Sequence, residues 1–151
     1  MSSEPYFASA GDYEELVSAF FARTLPKPRW THQAHLAVGL WAVHLWPGDE
    51  ALGRLRAAIS AYNEAVGTAN TDESGYHETV THAYVEILAA HAARCPAEQP
   101  LVERANAVIA GPLGARDALL RFYSREVLFS VAARRAFVPP DLAPLVAAPG
   151  G

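Results

Sequence analysis

Apolar residues recur at intervals of three and four through most of this chain, and nearly every such run is closed by proline or glycine. That pattern is the mark of amphipathic helices, because an α-helix turns about 100° per residue and returns to one face every three or four. Tyr13, Leu16, Val17, Phe20 and Phe21 form the first stripe, with Asp12 as expected N-cap and Pro26 and Pro28 beyond its end. Thr31 is placed to cap a second helix, from His32 to about Trp46, stopped by Pro47 and Gly48. Asp49 is the expected cap of a third, with Leu52, Leu55, Ile59, Tyr62 and Val66 facing inward and Gly67 as terminator. A fourth helix is expected from about Tyr76 to Arg94, with Val80, Tyr84, Ile87 and Leu88 inward, and a fifth from Leu101 to Ile109. The last pattern, Asp117 to about Phe137, carries a break at Tyr123 and Ser124, where Ser124 is able to cap a new helix.

No strand pattern or solenoid repeat competes with this reading. The expected fold is all-α, a single-domain helical bundle of about five to seven helices over residues 1–151, with 1–11 and 146–151 loosely ordered. Its 151 residues suffice for one buried core, and 51% apolar with 19% charged residues is a globular balance. The longest apolar stretch, Leu36 to Trp46, is interrupted by His44 and falls well short of the ~20 residues that a bilayer span needs. The first residues carry acid where a secretory signal carries base. Cys95 is the one cysteine, so neither an intrachain disulfide nor a thiol-rich metal site is available. A cytoplasmic location is expected. A net charge of −4 offers no general grip on nucleic acid. Basic residues do gather late, at Arg116, Arg121, Arg125, Arg134 and Arg135, where a small anionic ligand has one or two to use.

Six histidines remain to be sorted by helical geometry. On the second helix His32 aligns with Leu36, Gly39 and Val43, and His35 neighbours it one turn on, whereas His44 falls on the outer side. On the fourth, His77 aligns with Thr81, Tyr84 and Leu88, His82 faces away, and His91 lies several turns further along. His32, His35 and His77 therefore all start helices, where the partial positive charge of the N-terminus favours neutral imidazole. Neutral imidazole is what a divalent metal requires, and three of them leave a position for water or substrate. Zinc, iron, manganese, nickel and copper all accept such a set. Glu78 follows His77 and is placed to act as general base or fourth ligand. Asn63, Tyr84 and Arg125 are the expected substrate contacts, Arg125 for an anionic group. The bland alternative has the same histidines holding helix ends, with His35 bonded to a carbonyl.

The chain resembles a group of small bacterial all-α proteins that share T-x-H-x-x-H-L, G-Y-H-E-T and Y-S…A-R…P-D-L stretches. Here these are Thr31 to Leu36, Gly75 to Thr79, and Tyr123-Ser124, Ala133-Arg134 and Pro140 to Leu142. The resemblance spans about Thr31 to Leu145 and implies one domain. It brings no activity with it.

The leading expectation is a metal-dependent enzyme acting on a small molecule, by metal-assisted hydrolysis in preference to redox chemistry. The polar stretch Gly67 to Gly75, just before His77 and Glu78, is expected to serve as its lid. The alternatives are metal-free acid–base catalysis by His77 and Glu78, or a non-catalytic module that binds a ligand or protein. No nucleic-acid or membrane partner is expected. Trp30, Trp41 and Trp46 are candidates for a pocket wall or a homodimer contact.

Overall fold

The computed structural model describes residues 4–146, and within them every regular element is helical. Seven α-helices follow in order: α1 Ala10–Phe21, α2 His32–Leu45, α3 Gly48–Ala65, α4 Glu78–Arg94, α5 Leu101–Ala110, α6 Arg125–Leu128 and α7 Val131–Arg135. None is long and apolar enough to cross a membrane.

Helix α2 is the axis of the bundle, packed against α1, α3, α4 and α5. Ala34, Leu36, Ala37, Val38, Gly39, Leu40 and Ala42 are all buried, so the helix is apolar around most of its circumference, as a central helix must be. Gly39 allows the closest approach: a β-carbon there would stand 2.9 Å from Leu88 Cδ1 of α4. Tyr13 of α1 donates its hydroxyl to the Ala37 carbonyl at 2.6 Å, and Tyr62 of α3 donates to Leu25 O at 2.7 Å. These two bonds let large aromatic rings fill the core without an orphaned hydroxyl.

Several helix starts differ from the sequence reading. Ser9, rather than Asp12, caps α1 by accepting from Asp12 N, and α3 begins after Pro47, which puts Asp49 inside the first turn. Helix α4 begins one residue after His77, and His77 itself is the N-cap. The segment 117–137 breaks twice: Ser124 and Ser130 each accept a backbone N–H three residues on, from Val127 and Ala133, and start separate short helices. The expectation of a loose 1–11 fails at Phe7, which is buried and held by Asn106 through two bonds. Phe7 N donates to Asn106 Oδ1 at 2.9 Å, and Asn106 Nδ2 donates to Phe7 O at 3.0 Å. At the other end, residues 147–151 of the expected loose tail lie outside the described residues.

The polar stretch 67–75 is laced to the body of the protein, not a free lid. Asn70 is its knot: Oδ1 accepts from Asn63 Nδ2 at 3.0 Å and Tyr76 N at 2.9 Å, while Nδ2 donates to Ser60 O at 3.0 Å. Arg135 forms a two-pronged bond to Asp72, and Arg134 donates to Gly75 O at 2.9 Å. Gly75 has φ of +81°, and a β-carbon there would collide with the Ala69 carbonyl oxygen and lie 2.6 Å from Asn70 Oδ1. Only glycine fits that corner.

Candidate functional site

Pro26 precedes and Pro28 lies within a 3-10 turn over 27–29 that delivers Trp30 to the start of α2. Trp30 lies sandwiched between two rings: Phe20, stacked at 4.3 Å, and His35, stacked at 3.7 Å. Thr31 is extended and caps α2, accepting from Ala34 N at 3.1 Å. This arrangement fixes the first turn of α2 in the wall of a cavity of about 520 Å³ between α2, α3 and α4, which Arg116 also lines. That size falls within the roughly 300–1,000 Å³ usual for small-molecule pockets. Leu36, Val38, Leu55, Ile59, Val80 and Val85 supply an aliphatic wall. His32, His35, Thr81, Tyr84 and Arg116 bring polar groups into it.

The two histidines of α2 are anchored through opposite ring nitrogens. His35 Nδ1–H donates to Thr31 O at 2.6 Å, which leaves Nε2 as a lone-pair acceptor without a partner among the described residues. His32 Nε2–H donates to Leu113 O at 2.9 Å, which leaves Nδ1 without a partner among the described residues. His32 also meets Tyr84 edge to face, with ring centres 5.8 Å apart. His35 is open to the water of the cavity but set deep among protein atoms. That surrounding lowers its pKa to about 4, against the Thr31 carbonyl that would raise it, with His32 adding a small depression. Burial moves the Tyr84 hydroxyl the other way, up to about 12, helped by Asp117. At neutral pH the pocket thus presents a neutral His35 imidazole and a protonated phenol.

The third expected ligand stands elsewhere. His77 accepts from Val80 N at Nδ1, 3.2 Å, and donates from Nε2 to Leu128 O at 2.7 Å. Both nitrogens of a neutral ring are therefore spent on capping α4 and tying it to α6, and His77 does not line the cavity. Its pKa is lowered, first by burial, with the Leu128 carbonyl opposing and Arg134 contributing. Glu78 is also committed. Its carboxylate accepts Arg56 Nε at 2.8 Å, Arg56 Nη2 at 2.7 Å and the Tyr76 hydroxyl at 2.7 Å. The Arg56 bonds hold its pKa below the ordinary carboxylate value, against burial, so it is a poor proton acceptor. Among the described residues no three His, Cys, Asp or Glu side chains are grouped to hold a metal ion.

Of the expected substrate contacts, Tyr84 lines the cavity, whereas Asn63 braces Asn70 and Arg125 lies exposed at the start of α6. His82 is half-buried rather than solvated, stacked on Phe137 at 3.7 Å and 3.1 Å from Glu86. Arg56 and the Leu113 carbonyl were not legible as site partners, because both pairings join residues far apart in the chain. Arg116 belonged to the late basic group, yet nothing in its spacing distinguished it from Arg125.

No family model, curated protein or solved structure matches the chain. Its site must be read from its own chemistry.

Proposed function

We propose that this protein binds a small molecule in the cavity between α2, α3 and α4, with His35 as the neutral hydrogen-bond acceptor of the site. One observation carries the reading: two imidazoles share one pocket wall, each anchored through one nitrogen to a backbone carbonyl and each with its other nitrogen free. His77, by contrast, is satisfied at both nitrogens and does not line the cavity. The free pair has the form of a site awaiting a donor. Hydrogen bonding to a neutral or donor-bearing ligand is the chemistry such a site supports, with Tyr84 as a neutral donor beside the imidazoles. The single cysteine supports a cytoplasmic setting.

A second reading keeps a divalent metal, because His32 Nδ1 and His35 Nε2 are both unengaged and lie one turn apart. Two imidazoles would then hold the ion, with solvent or substrate completing its shell, and neither His77 nor Glu78 would join. Titration with the neutral fluorophore N-phenyl-1-naphthylamine tests the pocket: wild type is expected to bind it, and Ile59→Trp, which fills the cavity, to lose it. Equal binding by both would remove the pocket reading. Metal analysis by mass spectrometry separates the two chemistries. Stoichiometric metal lost in His35→Ala but kept in His77→Ala would establish the second.

A further inference from the structure

Among the described residues the cavity wall contains no carboxylate, and Arg116 is its one permanently charged side chain. The other late basic residues are engaged or lie away from it. Arg134 is spent on the Gly75 and Tyr76 carbonyls and Arg135 on Asp72, while Arg121 and Arg125 do not line the cavity. Arg116 makes no ion pair among the described residues. Asp117 beside it acts on Tyr84 through space without lining the cavity. The first turn of α2 adds polarity of the same sign. Thr31 Oγ1 takes Ala34 N and Thr31 O takes His35 N, but the N–H groups of His32 and Gln33 have no partner among the described residues. The same wall also carries the aliphatic side chains of Val38, Leu55, Ile59 and Val85.

From this division we infer that the ligand is an apolar-bodied carboxylate, its anionic head on Arg116 and the α2 N-terminal turn, its body against the aliphatic wall. The inference rests on the small-molecule reading above and narrows it. An uncharged ligand would leave the guanidinium unused. A multiply charged one, such as a nucleotide, would find one cation and an apolar wall where it needs several donors. Monocarboxylic acids with a short aliphatic or phenyl-bearing chain match both halves.

The test is calorimetric titration of 4-phenylbutanoate and its uncharged amide, 4-phenylbutanamide, into wild type, Arg116→Gln and Ile59→Trp. Arg116 is exposed, so its replacement leaves the core untouched. The carboxylate is expected to bind wild type about tenfold more tightly than the amide. That preference is expected to vanish in Arg116→Gln, and both compounds to lose binding in Ile59→Trp. If amide and acid bind wild type equally, the pocket reading stands and the anion preference is overturned. A preference that survives Arg116→Gln overturns the assignment of the head group. If neither compound nor the neutral fluorophore binds wild type, both readings fall.

Discussion

At the scale of single residues, the two hydrogen-bonding states of histidine separate structure from site. His77 uses both nitrogens and His35 one, although the sequence places all three helix-start histidines in equivalent positions. Replacing His77 by alanine removes a helix cap and a buried bond to Leu128, and is expected to cost about 2 kcal/mol in urea denaturation. His77→Asn, which keeps a capping acceptor, recovers part of that loss, and metal content is unchanged in both. Stability also depends on pH through these rings. The folded pKa of His35 is about 4, below its ordinary 6.5, and burial lowers His77 and His91 in the same direction. Between those values the unfolded chain binds more protons than the folded one, so stability falls as pH drops from about 6.5 toward 4. The urea midpoint is expected to decline over that range in wild type and more shallowly in His35→Gln. A profile unchanged by the substitution would show that His35 is not held neutral by the fold.

At the scale of elements, what was legible was local. The α2 stripe, its Thr31 cap, the Pro47 stop and the Ser124 break are decided by neighbours in sequence, and each stands as expected. The misplaced features depend on distant partners. Glu78 resembles a general base until Arg56, 22 residues earlier, closes on it from α3. Residues 67–75 look like a lid until Arg134 and Arg135 of α7 reach back to them. Glu78→Gln is expected to loosen α3 from α4 by about 2 kcal/mol, read from denaturant midpoints, while binding in the cavity persists. Gly75→Ala forces a side chain into the left-handed corner beside Asn70. A loss of at least about 1 kcal/mol is expected, and an unaltered midpoint would deny the knot its importance.

At the scale of the whole molecule, α2 does two things at once: its length forms the axis of the core, and its first turn forms part of the cavity wall. The all-α class follows from composition and periodicity, but which helix starts converge does not, because helix packing is settled by shape between elements. Ligand occupancy should stabilise the whole bundle through this shared helix. At a ligand concentration of 100 times Kd the gain is about 2.7 kcal/mol, or roughly 5–10 °C in Tm for a domain of this size. A ligand that binds without raising Tm would have to occupy some other surface that the unfolded chain also offers.

The most direct measurement is the long-range proton–nitrogen spectrum of the histidine rings at pH 7, with and without N-phenyl-1-naphthylamine. The structure predicts a proton on Nδ1 of His35 and on Nε2 of His32 and His77, with the His35 and His77 rings neutral. It further predicts that the compound shifts the free nitrogens of His32 and His35 and leaves His77 in place. Signals from His32 and His35 that do not respond, or a His77 that does, would contradict the division between a structural histidine and a binding pair.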